Sequence, residues 1–333
     1  MRPLKILLVF DLSIPLMPED YADYMKTDDW ENEAHVLETL KKLGHTAKAF
    51  GIHDDIDPFI HEIKNERPDL IFNLSEAFNG DRRFEPHLPS LFELLGLKYT
   101  GAGPGALTLC KDKGLTKKLL AYQGIRVPRF EVVKKGQSPK ELEDFPYPAF
   151  VKPLQLEASE GISQVSLTEN LADTLDRVQF IHEKFEADAI IEEFIDGREL
   201  YVGVLGNERL NAFPPRELFF KEVPEGEPKI ATFRAKWNDD YRKKWGIRNG
   251  PAASIPADVL EEMLEACKKI YRTLQLRGYG RIDLRLKPNG EFVFLEANPN
   301  PSIAKEDDFA LSAAKADIPY DELIAKMISL SGV

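Results

Sequence analysis

The residues best equipped for chemistry lie in Arg281-Ile282-Asp283-Leu284-Arg285 and, past Pro288-Asn289-Gly290, in Glu291-Phe292-Val293-Phe294-Leu295-Glu296-Ala297-Asn298. An Asn-Gly pair between two alternating runs predicts a β-hairpin. Strict alternation puts Ile282, Leu284, Leu286, Val293, Leu295 and Ala297 on one face. Arg281, Asp283, Arg285, Phe294, Glu296 and Asn298 fall on the other. A two-residue turn then sets Asp283 opposite Glu296 and Arg281 opposite Asn298. Facing like charges destabilise an antiparallel pair unless something compensates them. Mg²⁺ is an economical compensation, because it accepts one or two carboxylates and keeps positions for phosphate oxygens. The residues alone equally allow both carboxylates to face water, or to pair with Arg281 and Arg285.

Three other segments carry weaker signals. Phe150-Val151-Lys152-Pro153 is an apolar strand with one lysine, a pattern that also suits an edge or snorkelling lysine. Glu157-Ala158-Ser159-Glu160-Gly161-Ile162-Ser163 has small residues that would let backbone N–H groups approach phosphate, but its single glycine fits a surface turn as well. In Ile190-Ile191-Glu192-Glu193-Phe194-Ile195-Asp196-Gly197-Arg198-Glu199 an apolar strand runs into acids and a glycine turn. Such acids suit a purine amino group and ribose hydroxyls, or simple solvation.

Elements that position these residues follow from periodicity. Lys5–Phe10, Thr46–Ile52 and Leu70–Leu74 are strand-like, with helical patterns at Val36–Leu43 and Leu88–Leu95 between and after them. That alternation predicts a small parallel sheet with helices on it. A helix is expected from Asp112 to Gly124, another at Leu167–Phe185, a long one at 256–275 and a tail helix at Tyr320–Leu330. Cys267 lies on the apolar stripe of the long helix, which makes it a core residue.

At 333 residues the chain has room for two or three domains. Its net charge of -12 argues against nucleic acid as the main partner, without excluding a nucleotide. Two cysteines, Cys110 and Cys267, make no disulfide framework and suit a reducing compartment. The apolar start Ile6–Phe10 is strand-sized, so neither signal peptide nor membrane span is expected, and the cytoplasm is the default location. The six histidines show no metal-ligand spacing.

Taken in order, Lys152, the segment Glu192–Glu199, Gly280-Arg281-Ile282-Asp283 and Leu295-Glu296-Ala297-Asn298-Pro299 resemble the ATP-grasp enzymes, and most of all the D-alanine–D-alanine ligases. Leu94–Gly101, Asp112–Lys117 and Gly124–Pro128 extend the likeness over about residues 68–301. The resemblance implies an α/β chain with an ATP-grasp fold behind an N-terminal pre-ATP-grasp, Rossmann-like domain. Its divisions would be 1–105, a central lobe 106–195 and a C-terminal lobe 196–333 with the metal site. It implies that Lys113 and Lys152 hold ATP phosphates, that Glu192, Glu193 and Ile195 frame adenine, and that Glu199 binds ribose. Ser159 would cover the phosphates and Lys236 reach the γ-phosphate, with Trp237 where the family has tyrosine. Arg281 would steady the acyl group. Asp283, Glu296 and Asn298 match metal ligands for Mg²⁺, with Mn²⁺ as an alternative.

The implied activity is ATP-dependent joining of a carboxylate and an amine, amino acids being the expected small-molecule substrates, through an acyl phosphate. A homodimer is the family's usual assembly. The departures fall on the substrate side. The Gly-Gly-x-Ser turn is replaced by Asp11-Leu12-Ser13-Ile14-Pro15 and an acidic, aromatic insertion reaching Trp30. The Ser-Leu pair of those ligases gives way to Pro301–Asp308, and a His-Gly segment to Asn73–Gly80. Arg82, Arg83, Arg234 and Lys305 are therefore candidates for a substrate carboxylate. A ligase for another amino acid or peptide, or an ATP-binding module that has lost catalysis, stays open. A dehydrogenase is disfavoured, since no Gly-x-Gly-x-x-Gly follows the first strand.

Overall fold

Residues Ile6–Phe10 offer no polar face, so the strand that holds them must be covered on both sides. In the computed structural model, which describes all residues except 1, 17–19, 140, 141, 143, 157, 158 and 225–227, this is how they are used. Strand β1 (Lys5–Asp11) is the middle of a parallel sheet, flanked by β2 (Thr46–Ile52) and β3 (Leu70–Asn73). Ile6, Leu8 and Phe10 pack against Val36 and Leu40 of the helix Glu31–Lys42, and against Leu323, Ile324, Met327 and Ile328 of the helix Tyr320–Leu330. Leu7, Val9 and Ile71 pack on the other side against Phe59 and Phe92, from the helices Asp57–Asn65 and His87–Leu94.

A second, antiparallel sheet is ordered β4-β7-β5-β6, from Phe130–Val133 (β4), Ala149–Pro153 (β5), Leu167–Thr168 (β6) and Ala189–Glu193 (β7). The helix expected at Leu167–Phe185 is shorter. Leu167 and Thr168 pair with β5, and the helix Leu171–Lys184 starts after Asn170, whose Oδ1 accepts from the Asp173 N–H at 3.0 Å. An N-cap residue holds extended backbone, which is why the periodic pattern ran past the true start.

The third sheet comprises β8 (Arg198–Leu205), β9 (Asn211–Ala212), β10 (Arg216–Phe220), β11 (Ile247–Pro251), β12 (Tyr279–Leu286) and β13 (Phe292–Pro299). Its order is β11-β10-β8-β12-β13, with β9 paired to β8. One face is sealed by Met263, Cys267, Ile270 and Tyr271 of the helix Ala257–Thr273, together with Ala106 and Leu107 of the helix Pro104–Lys111. Cys110 and Cys267 are both buried and unpaired to each other.

The hairpin turn differs from expectation. Lys287 N–H donates to the Glu291 carbonyl at 2.8 Å, leaving three residues in the loop rather than two. The register then shifts between Asp283 and Leu284: Leu284 faces Phe294, whereas Asp283 faces Glu296. Leu295 is thus the extra residue of a β-bulge. Phe294 turns into the core beside Leu284, not onto the polar face, and is 1% exposed.

Candidate active site

Strand pairing sets the acid pair. Asp283 opposes Glu296, and Arg281 opposes Asn298. Arg281 clasps Asp283 along the same strand, with Nε to Oδ1 at 2.7 Å and Nη2 to Oδ2 at 2.9 Å. Burial lifts the Asp283 carboxyl above its usual range despite that arginine, and the Glu296 charge lifts it further. Glu296 is depressed: burial would raise it, but Lys113, Lys152, Lys236 and Arg281 outweigh burial. Among the described residues, no protein hydrogen bond satisfies the Glu296 carboxylate.

The donor set of Asp283, Glu296 and Asn298 is made of hard oxygens. Each Asp283 oxygen keeps acceptor capacity beyond its arginine contact. Among the described residues no three His, Cys, Asp or Glu side chains gather into a closed metal cage. Two facing acids beside a cationic cleft are a partial shell, which fits a cation that also takes phosphate oxygens.

The acid pair lines a cleft of about 80 Å³ between the second and third sheets. Lys152, Ser159, Glu192, Glu193, Ile195, Glu199, Lys236, Asp283 and Glu296 all line it. Lys152 sits on β5 opposite Ile190 of β7 and is 6% exposed, so it is not a snorkelling lysine. Its Nζ lies 3.1 Å from Glu192 Oε2, and Lys117 Nζ lies 2.9 Å from Oε1. Burial would raise the Glu192 pKa; the two lysines more than reverse this and hold it below the usual value.

Glu193 and Ile195 follow at the end of β7, where the Glu193 N–H donates to the Arg129 carbonyl at 2.8 Å. Both oxygens of Glu199 are engaged, Oε1 by the Tyr201 hydroxyl and Oε2 by Arg285 Nη2, each at 2.9 Å.

Over the cleft, Ser159 has φ of 62° and its Oγ donates to the Ala231 carbonyl at 2.9 Å. The Phe233 N–H donates to the Ile162 carbonyl at 3.2 Å, tying the segment after Ser159 to the helix that carries Lys236. Glu157 and Ala158 lie outside the described residues. Lys236 is carried by the helix Phe233–Trp237, capped by Thr232, whose Oγ1 accepts from the Ala235 N–H at 3.2 Å. Lys113 and Asn298 do not line the cleft; Lys113 Nζ donates to the Leu156 carbonyl at 2.6 Å.

At the carboxyl ends of β1 and β3, Asp11 Oδ1 accepts from the Glu76 N–H at 2.6 Å. Burial, with the charges of Glu76 and Asp11, pushes Glu33 up to about 7. The four candidates for a substrate carboxylate are already engaged: Arg82 with Glu76, Arg83 with Asp81, Lys305 with Glu38, and Arg234 over the Tyr241 ring. In the loop after Asn298, Ile303 N–H donates to Asn32 Oδ1 and Lys305 N–H to His35 Nδ1, both at 3.2 Å.

Sequence reasoning gave Lys117 no role, put Leu295 on the apolar face, and offered Arg285 only as a partner for the facing acids. Lys117 lies one helical turn past Lys113, and Arg285 two residues past Asp283. Those spacings put Lys117 on the same side of its helix as Lys113, and Arg285 on the same face of its strand as Asp283.

The family model for the D-Ala–D-Ala ligase C-terminus matches residues 110–329. The chain belongs to the D-alanine–D-alanine ligase family. A D-alanine–D-alanine ligase of Gluconobacter oxydans is 30% identical over 294 residues, covering 88% of this chain and 90% of its own. The vancomycin B-type resistance protein VanB of Enterococcus faecalis is 30% identical over 273 residues, 81% of this chain and 75% of its own. Among solved structures, the D-alanine–D-alanine ligase of Bacillus anthracis complexed with ATP superposes with a TM-score of 0.74, covering 98% of this chain and 97% of that one, at 19% identity. The fold is therefore the ATP-grasp fold, and this family member is an ATP-dependent ligase acting on small molecules. No helix among the described residues is long and apolar enough to cross a membrane.

Proposed function

We propose that the ligase activates an amino-acid carboxylate with ATP and Mg²⁺ and joins it to an amine acceptor, residues 1–105 serving as the pre-ATP-grasp unit and 106–195 and 196–333 as the gripping lobes. The observation that carries this is the convergence on one cleft of the facing acids Asp283 and Glu296 with Lys152 and Lys236. In this reading Lys113, Lys152 and Lys236 neutralise phosphate charge as the γ-phosphoryl group passes to the carboxylate, which is a matter of positioning and electrostatics. Asp283, Glu296 and Asn298 would hold the Mg²⁺, which supplies further neutralisation of phosphate charge when bound. Glu192, Glu193 and Ile195 hold adenine, and Glu199 meets ribose with oxygens already oriented by Tyr201 and Arg285. Arg281 steadies the oxyanion formed when the amine attacks the acyl phosphate. Ser159 closes over the phosphates and keeps out water, which would hydrolyse that intermediate.

An acceptor other than D-alanine is favoured by one observation. Asp307 and Asp308 stand in the stretch that replaces the Ser-Leu pair of D-alanine–D-alanine ligases, and Arg216 Nε is bound to Asp308 Oδ1 at 2.8 Å. The homodimer and the cytoplasmic location belong to the same reading and are checked by sedimentation and cell fractionation. The substrate is tested by phosphate release with ATP, Mg²⁺ and arrayed D- and L-amino acids, with mass spectrometry of the products. Release that depends on the amino acid, with an amide product, is expected. ATP binding with silence across the array would instead favour a module without catalysis.

A further inference from the structure

We infer that Lys117 is a positioning residue that ties the adenine end of the cleft to the metal end. It is fully buried and does not line the cleft. Its ammonium has two partners in different sheets: Glu192 Oε1 of β7 at 2.9 Å and the Leu295 carbonyl of β13 at 2.6 Å. Leu295 is the bulged residue immediately before Glu296.

A bulge takes a residue out of the ladder, and a buried carbonyl left without a donor is costly. Lys117 supplies a charged donor to that carbonyl, which is stronger than a neutral one. It lies 5.6 Å from the centroid of the Phe294 ring, so it braces the bulge on the side of the core as well. Without it, the bulge loses its charged donor at Leu295, and Glu296, the next residue, loses a support that helps keep it opposite Asp283. The same loss releases one oxygen of Glu192, leaving that carboxylate to Lys152 alone. One ammonium therefore sets the position of a nucleotide contact and of a metal ligand without touching either ligand.

The inference rests on the proposed assignment of nucleotide and metal to this cleft. The test compares the full-length wild type with Lys117→Met, Glu192→Gln and the double variant Lys117→Met/Glu192→Gln. ADP affinity is measured by calorimetry, Mn²⁺ affinity of the ADP complex by electron paramagnetic resonance, and folding by thermal unfolding. Losing an outer-shell support costs about 10- to 100-fold in metal affinity. Lys117→Met is expected to weaken Mn²⁺ by about that factor. Should that variant fail to fold because Glu192 is left half-paired, the double variant removes the stranded charge. It is then expected to bind Mn²⁺ about ten-fold or more weaker than Glu192→Gln alone. Equal Mn²⁺ affinity in Glu192→Gln and the folded double variant overturns the role of Lys117 while leaving the ligase reading intact. A wild type that binds neither ADP nor Mn²⁺ overturns both.

Discussion

Asp283 and Glu296 face each other across β12 and β13, yet only Asp283 is held by the protein, through the two-point clasp of Arg281. Glu296 is left with a ring of cations near it and no hydrogen bond among the described residues. Glu296→Gln is therefore expected to bind Mn²⁺ poorly in paramagnetic resonance and to lower phosphate release by about 10²- to 10³-fold, the usual loss when a preorganised electrostatic contact goes. Unchanged turnover would remove the acid pair from the mechanism.

Arg281 does two things, and its variants separate them. Arg281→Met leaves Asp283 buried without its partner, a loss of about 3–5 kcal/mol when one member of a buried pair is removed. Arg281→Lys keeps the charge but not the fork, so most of the stability should return while kcat stays about 10²-fold low. Denaturant unfolding alongside kcat distinguishes the two. A lysine variant with full kcat would mean that charge alone suffices.

Gly197 joins β7 to the strand of Glu199, with φ of +154°. A Cβ there would meet the Leu286 carbonyl oxygen at 2.5 Å, backbone that cannot swing away. Gly197→Ala is expected to lose about 1–3 kcal/mol of stability and to weaken ADP binding as well. Urea unfolding with and without ADP checks both, and a variant as stable as wild type would contradict the close approach.

Glu33 makes stability depend on pH. Burial and the nearby charges of Glu76 and Asp11 raise it from 4.5 to about 7 in the folded chain. The folded state then binds a proton that the unfolded state releases earlier, so stability falls as pH climbs from 4.5 through 7. Glu33→Gln should stabilise the protein at pH 8 by on the order of 1–2 kcal/mol, and the gain should vanish below pH 4.5. A gain of equal size at both pH values would point to packing instead.

In the first sheet β1 and β3 were legible because they are buried runs, whose apolar content survives any choice of register. The facing of Asp283 and Glu296 was legible for a less secure reason. A loop one residue longer than expected and a bulge of one residue shift the pairing in opposite senses, and the two cancel at Asp283. Alternation alone cannot see a bulge, so Phe294 and Leu295 were placed on the wrong faces. Lys152 looked ordinary in sequence because its surroundings, Glu192 and the rest of the cleft, are brought in by β7 and the third sheet. The role of Lys117 depends on a carbonyl that only the bulge exposes. On the substrate side, Arg82, Arg83 and Lys305 looked available because the acids that engage them are set by the fold.

Residues 320–330 lie in the same core as Ile6, Leu8 and Phe10. During synthesis β1 emerges early and the helix that shields one of its faces emerges long afterwards. Until then that face has only the helix Glu31–Lys42 over it and is part-covered, an invitation to misassembly in any chain whose translation stalls. Completion of the amino-terminal sheet waits for the carboxyl-terminal helix.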